Sequence, residues 1–280
     1  MTNPIADPLV EGVDSDAGSK LVRIEATPDG VAYVIMNRPQ ARNAFNAELI
    51  AALHEAFETL QGAEGVRVVF LRGAGGFFSA GADLEWMGAA AEWSEADNRD
   101  DAFQMALMLK ALWDIPALTV ALVEGGAFGG GVGLAAACDV AVATADARFS
   151  LSEVRLGLIP ATISPYVVNA IGARASRGLF ATGRVFDAAH AYRIALIDQV
   201  VDDLDALSAA AANIARDAML CAPGAVADAK RLVGDVAYRQ IDHGLMDDTA
   251  KRIAKARVSD EGQEGVRAFL AKRKASWVSG

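Results

Sequence analysis

Six of the nine residues from Gly125 to Gly133, within "EGGAFGGGVGLAAACD", are glycine, and this run constrains the fold more than any other stretch of the chain. Glycine loses the most backbone freedom on folding, so a dense run between apolar flanks marks backbone that must bend sharply or approach something closely. "PALTVALVEG" before the run reads as a strand, "GAFGGG" as a loop, and "GVGLAAACD" as the start of a helix. Such a hand-over leaves unpaired N–H groups and the positive end of a helix dipole pointing outward. Close packing of the helix on the strand is one use for the glycines; donors aimed at an anion or a polarised oxygen are another. A nucleotide loop fits poorly, because no Gly-Lys-Ser/Thr ending follows and GxGxxG matches "GGAFGGGVG" only out of context.

A second strand, glycine-rich loop and helix start appears in "VRVVFLRGAGGFFSAGADLEWM", where Ala80, Gly81 and Ala82 keep the turn small. Two such loops can point two backbone N–H groups at one oxygen. That is the geometry of an oxyanion hole, which stabilises charge developing on a carbonyl.

The rest of the chain alternates the same way. "LVRIEATPDGVAYVIMN" reads as a hairpin turning at Asp29-Gly30, and "VRVVFLRG", "PALTVALVEG" and "CDVAVATADARFS" as further strands. "NAELIAALHEAFETLQ" places Leu49, Ala52, Leu53, Ala56, Phe57 and Leu60 at helical spacing behind an Asn46 cap, and "RDDAFQMALMLKALWDIP" repeats the pattern up to Pro116. The pattern predicts an α/β fold with buried strands. Strands fade from about residue 205; "LDALSAAAANIARDAML", "GAVADAKRLVGDVAYRQ" and "GVRAFLAKRKASW" read as amphipathic helices suited to self-association. We therefore expect a tail over 1–20, a core domain over 21–205 and a helical region over 206–280. No fixed-period repeat stands out, although unequal turns of a spiral would look like this.

At 280 residues and 53% hydrophobic content the chain can bury one large core. A formal net charge of −10 argues against nucleic acid as a partner, since phosphate binding needs a basic face. No apolar run suits a membrane span or a secretory leader, which leaves the cytoplasm as the expected compartment. Cys138 and Cys221 are read as two buried thiols.

Taken together, "NRPQARNAF", "FFSAGADL", "GGAFGGGVGLAAACD", "ARFSLSEVRLGLIP" and "AFLAKRKASW", in that order, resemble the motifs of the crotonase, or enoyl-CoA hydratase/isomerase, family over nearly the whole chain. The resemblance implies a spiral of ββα units, a C-terminal helical trimerisation region giving trimers or hexamers (dimers of trimers), and acyl-CoA thioester substrates, with no cofactor beyond the coenzyme A of the substrate itself. It puts the oxyanion donors on the backbone N–H groups of Ala82 and Gly130. Coenzyme A contacts fall on Ala41, Arg42 and Ala80, with Lys272 reaching phosphates from an adjoining subunit. Placed cations of this kind let an acidic chain hold an anionic ligand.

The resemblance also makes Glu153 the general acid/base, although a surface glutamate paired with Arg155 is what the residue suggests alone. A carboxyl in an apolar pocket titrates nearer neutral pH and suits proton transfer at the α-carbon. Two-carboxylate hydratases of the family carry a second glutamate where this chain has Gly133. Three explanations stay open: hydration through Glu153 alone, 3,2-double-bond isomerisation with one base, or a carboxylate supplied by Asp83, Glu85, Glu92, Glu95 or Asp114. Asp83 better suits a structural role in its loop. Hydration of a 2-enoyl-CoA is the leading expectation, isomerisation the next, and a non-catalytic acyl-CoA-binding scaffold the third. "GGGVGL" with "SEVRLGLIPATISPYVV" looks like the branch acting on branched acyl groups of the methylglutaconyl type; there Ala161, Thr162, Ile163, Ser164, Pro165 and Tyr166 replace the usual glycine run. Tyr166 is expected to pack rather than to donate a hydrogen bond.

Other residues carry less. His54, His190 and His243 lie away from every motif, Ser79 and Ser152 sit in no G-x-S-x-G, and Trp86, Trp93, Phe103 and Met105 line either the acyl channel or the core.

Overall fold

The computed structural model describes residues 20–278, so the expected tail over 1–20 lies, apart from Lys20, outside the described residues. The hairpin forms as read: β1 (Val22–Ala26) pairs antiparallel with β2 (Val31–Met36). All of β2 is buried, as is most of β3 (Val68–Gly73) and β4 (Leu118–Val123). Their unbroken apolar runs belong to a sheet covered on both faces, which explains why they do not alternate. With β6 (Val140–Thr144) and β9 (Gln199–Val201) they make one sheet in the order β1-β2-β3-β4-β6-β9, parallel except at β1.

A second row of short extended segments was not legible in the sequence. β5 (Gly126–Phe128), β7 (Arg148–Ser150) and β8 (Phe186–Asp187) form a three-stranded sheet, and the parallel bridges Phe45↔Ala82 and Ser79↔Ala127 continue the row. "GAFGGG" is therefore not all loop, and "CDVAVATADARFS" is two strands in different sheets. Strands of two or three residues carry too little alternation to register as a pattern. After each of β2, β3, β4 and β6 the chain drops one short segment into this second row.

Helices cover the sheets. α1 (Ala47–Gly62) starts at Asn46, whose side chain accepts from the Leu49 N–H at 3.0 Å. It buries Leu49, Ile50, Leu53, Phe57 and Leu60, each contributing about 1.5–3 kcal/mol of transfer free energy. α2 (Leu84–Ala90) is capped by Asp83, and α3 (Glu95–Trp113) buries Met108, Leu109, Ala111 and Leu112. α4 (Gly130–Ala137) is buried over Gly131–Ala137, as a helix apolar all round must be. α5 (Ser164–Thr182) breaks at Gly172, and α6 (Ala188–Arg193) precedes β9.

The chain divides into two compact units, one ending at Asn213 and the other beginning at Ile214, with the boundary inside α7 (Leu204–Met219). The second unit holds α8 (Pro223–Val236), α9 (His243–Val258) and α10 (Asp260–Leu270). Glu261 of α10 accepts the Gly224 and Ala225 N–H groups at 2.9 Å, serving as a borrowed cap for α8, and Arg252 of α9 pairs with Asp235 of α8 at 2.6 Å. Val233, Tyr238, Ile241, Val258, Phe269 and Leu270 of this unit are exposed. The helix read into "AFLAKRKASW" stops at Leu270.

The expectation of two buried thiols fails. Cys138 is half-buried and Cys221 exposed, the latter because it falls in the turn between α7 and the Pro223 start of α8, and the two do not pair in a disulfide. Among the described residues no helix is long and apolar enough to cross a membrane.

Candidate active site

The early loop is a fixed platform. Pro39–Ala41 form a 3-10 turn, Arg42 and Asn43 follow in the left-handed region at φ 49 and 54°, and Asn43 is fully buried. The Asn43 carboxamide accepts from the Arg38 N–H and donates to the carbonyls of Ala74 and Phe77 at 2.9 and 2.7 Å, which fixes one loop on the next. The Arg42 carbonyl accepts the Ala80 N–H at 2.9 Å, and the Arg42 guanidinium lies 5.6 Å from the Phe77 ring centroid. Ala41, Arg42 and Ala80, expected from two separate places in the sequence, thus stand together. Lys272 belongs to the second unit, exposed just beyond α10 with φ 52°.

The two glycine-rich turns run side by side. Ser79 donates through its N–H to the Gly126 carbonyl at 3.1 Å and accepts at its own carbonyl from the Phe128 N–H at 2.9 Å. Three residues further along each segment come Ala82 and Gly130. Phe45 bonds the residues on either side of Ala82, accepting from the Asp83 N–H at 2.8 Å and donating to the Gly81 carbonyl at 2.7 Å. In a parallel bridge this turns the N–H of Ala82 to the other side. Gly130 opens α4, where an N–H has no intrahelical acceptor. Among the described residues neither the Ala82 N–H nor the Gly130 N–H has a hydrogen-bond acceptor.

The glycines serve packing as well. A Cβ on Gly130 would lie 2.5 Å from the Met105 methyl and 2.9 Å from the Phe45 ring; one on Gly131 would lie 2.9 Å from Ser79 Cβ. Gly129, the N-cap of α4 at φ 49° and ψ −115°, holds a conformation that L side chains rarely adopt, and a Cβ there would sit 3.2 Å from Glu153 Oε1.

Glu153 begins a 3-10 turn, Glu153–Leu156, directly after β7, the strand that pairs with β5. Its carboxyl therefore arrives beside Gly129 through backbone pairing. Oε2 is buried and has no hydrogen-bond partner, and among the described residues Arg155 forms no ion pair with it. Burial pushes the Glu153 carboxyl above the ordinary carboxylate range, against the pull of its own backbone N–H.

At the position of the missing glutamate the structure supplies a reason. A Cβ on Gly133 would lie 2.8 Å from Ile163 Cβ and closer still to its Cγ2 methyl, and Ile163 is only 2% exposed. Ile163 fills the space into which a side chain at 133 would grow. None of the proposed substitutes has a free buried carboxyl. Glu85, Glu92, Glu95 and Asp114 are exposed, Asp114 in a pair with Lys110. Asp83 takes the structural role: it caps α2 through the Glu85 and Trp86 N–H groups and bonds Arg38 at 2.6 Å, and that Arg38 hydrogen bond is what chiefly lowers its carboxyl below the ordinary range. Tyr166 packs on Trp113 at 5.6 Å between centroids, as expected. The aromatic stripe splits, with Trp86 and Met105 against the core and Trp93 and Phe103 exposed.

Sequence reasoning missed three contributors. Arg38 ties Ala44 and Asp83 together, Ile163 fills against Gly133, and Asp101 sits half-buried with the Trp86 Nε1–H donating to its Oδ1 at 3.3 Å. The signal for Asp101 was present: it is an acid at i, i+4, i+7 spacing with Met105 and Met108, on the stripe that continues to Leu112.

A family profile described as enoyl-CoA hydratase/isomerase matches residues 26–280. The chain belongs to that family. Members similar to it include the enoyl-CoA hydratase EchA19 of Mycobacterium tuberculosis, 32% identical over 264 residues that cover 90% of this chain and 97% of the relative. Among solved structures, an enoyl-CoA hydratase from Shewanella pealeana is 39% identical with a TM-score of 0.89, covering 92% of this chain and 96% of that one. Pseudomonas aeruginosa AtuE is 36% identical with a TM-score of 0.88, covering 93% and 100%. An acyl-CoA thioester substrate is consistent with membership of that family.

Proposed function

We propose that this family member hydrates a 2-enoyl-CoA. The observation that carries the reading is the Glu153 carboxyl, which lies beside Gly129 next to the start of α4 and whose buried Oε2 has no hydrogen-bond partner. In this reading the Ala82 and Gly130 N–H groups hold the thioester oxygen as it gains charge, and they need no reorganisation because the backbone already aims them. Glu153 takes a proton from water while the oxygen adds to C3, then returns that proton to C2. The raised affinity of its carboxyl for a proton suits that shuttle. Names of similar proteins support hydration.

Isomerisation of a 3-enoyl-CoA is the second reading, and Ile163 favours it. An apolar side chain at the place of a second carboxylate leaves Glu153 as the one family-type group to move protons, and moving a double bond needs one. A branched acyl group of the methylglutaconyl type is the finer substrate proposal, resting on the bulkier stretch after Pro160. Ala41, Arg42, Ala80 and Lys272 are proposed to hold coenzyme A, which is part of the substrate; no other cofactor is invoked. Assembly as a trimer or hexamer, a spiral core and a cytoplasmic site of action belong to the same proposal. The exposed apolar residues of the second unit support the assembly, and the repeated drop into the second row supports the spiral.

Parallel assays with 2-enoyl-CoA and 3-enoyl-CoA thioesters, straight and branched, test this. Loss of conjugated absorbance with a 3-hydroxyacyl product is the expected result; growth of that absorbance from the 3-enoyl substrate without hydration overturns it for the isomerase. Thermal stabilisation by the thioesters without turnover of either would leave a binding protein.

Gly130→Ala is expected to lower kcat about a hundredfold, with a much smaller change in KM. The added Cβ meets Met105 and the rigid Phe45 ring and so displaces one donor. Steady-state kinetics on the folded variant check it.

A further inference from the structure

The inward stripe of α3 carries one group that the hydratase reading does not use. An acid on the stripe of Met105, Met108 and Leu112 gives up hydration, and the burial cost needs a compensating partner. Asp101 receives one hydrogen bond, from Trp86 Nε1, and among the described residues no other donor reaches its carboxyl. A carboxyl offers more acceptor sites than that.

Its position is bracketed from both sides. Trp86 lies on α2, the helix that follows Ala82, and the Asp83 cap that accepts the Trp86 backbone N–H holds that helix start. Met105 is one turn after Asp101 on the same face, which puts their Cβ atoms about 6 Å apart. The Met105 methyl is the atom that a Cβ on Gly130 would strike, and its sulfur accepts from Thr162 Oγ1 at 3.8 Å, one residue before Ile163. Asp101 is thus bonded to the helix that follows Ala82 and lies one turn of α3 from Met105, the side chain that packs at Gly130.

We propose that Asp101 holds the water molecule that adds to C3, doing from α3 what a glutamate at 133 would otherwise do. This rests on the hydratase reading. The water is fixed by Asp101 and gives its proton to the Glu153 carboxylate as its oxygen bonds to C3. The C2=C3 electron pair moves toward the thioester oxygen, and Glu153 then delivers the proton to C2. Asp101 ends the cycle as it began. Partial burial raises its carboxyl above the ordinary range, against the pull of the Trp86 hydrogen bond.

Two reactions separate this role from a structural one. Hydration of crotonyl-CoA needs the water; deuterium wash-in at C2 of butyryl-CoA in heavy water needs only Glu153 and the N–H pair. Asp101→Leu, which continues the apolar stripe and so keeps the helix packed, is expected to lose about a hundredfold in hydration while wash-in stays within about threefold. Asp101→Asn, which still accepts from Trp86 and can still hold water, is expected to keep hydration within about tenfold. Hydration unchanged in Asp101→Leu, parallel loss of both reactions, or Asp101→Asn as poor as Asp101→Leu would each overturn the proposal. Wild-type protein that exchanges the C2 proton but hydrates nothing would instead overturn the hydratase reading beneath it.

Discussion

Replacing Glu153 with Gln is expected to lower turnover of a 2-enoyl-CoA about a thousandfold while making the folded protein more stable at neutral pH. General acid/base groups contribute about 10²–10⁴ in rate, and the amide keeps the shape while losing the titratable proton. The stability gain follows from linkage. The folded state holds the Glu153 proton at pH values where the unfolded chain has released it, because burial raises the carboxyl. Between the unfolded value and the raised folded value the native state binds more protons, so stability falls as pH rises through that window and stays lower above it. Gln carries no such penalty. Melting curves at pH 7.5 and pH 4 check the sign: the advantage of the variant should be present at the higher pH and shrink at the lower. Equal activity would remove Glu153 from the mechanism, and lower stability at pH 7.5 would show that the amide cannot be accommodated.

The second large effect is a reciprocal one between Gly133 and Ile163. Gly133→Glu alone drives a side chain into Ile163 Cβ and its methyl, in a site only 2% exposed, and is expected to cost about 3 kcal/mol or more through overpacking and a buried charge. Ile163→Gly alone empties that volume and is expected to cost about 2–5 kcal/mol. Joined, the two changes should cost less than their sum by about 1–3 kcal/mol, since the new side chain occupies the vacated space. Urea unfolding of the four proteins measures the coupling. Additive losses would mean that Ile163 relaxes away from position 133 and does not fill it.

These contacts also mark where the sequence stopped being informative. Long elements were legible: the Asn46 cap and apolar spacing of α1, the buried runs of β2, β3 and β4, and the hairpin at Asp29-Gly30 carry their geometry locally. β5 and β8 were not, because two or three residues show no period. Within the site, motif order brought Ala82, Gly130 and Glu153 forward, but the reason for Gly133 lay thirty residues on, in a side chain that only the packing of α4 against the start of α5 reveals. Asp101 was written in the pattern and passed over, since the search for a substitute carboxylate followed nearness in sequence and the fold supplies nearness through α3. Cys221 read as buried from its apolar neighbours, although those neighbours belong to a helix end.

The ladder that sets Ser79 against Ala127 has a consequence for how this chain can change over generations. Ala82 and Gly130 each lie three residues beyond that bridge, so their relative placement is a matter of counting backbone units, not of which side chains stand between. Substitutions at Ala80 or Phe128 can reshape the walls while the spacing survives. A single inserted or deleted residue between 79 and 82, or between 127 and 130, shifts one segment by a full step against the other. Diversity in these two loops should therefore accumulate as replacements of fixed length, while length variation is confined to stretches such as the one joining α2 to α3, where no ladder keeps count.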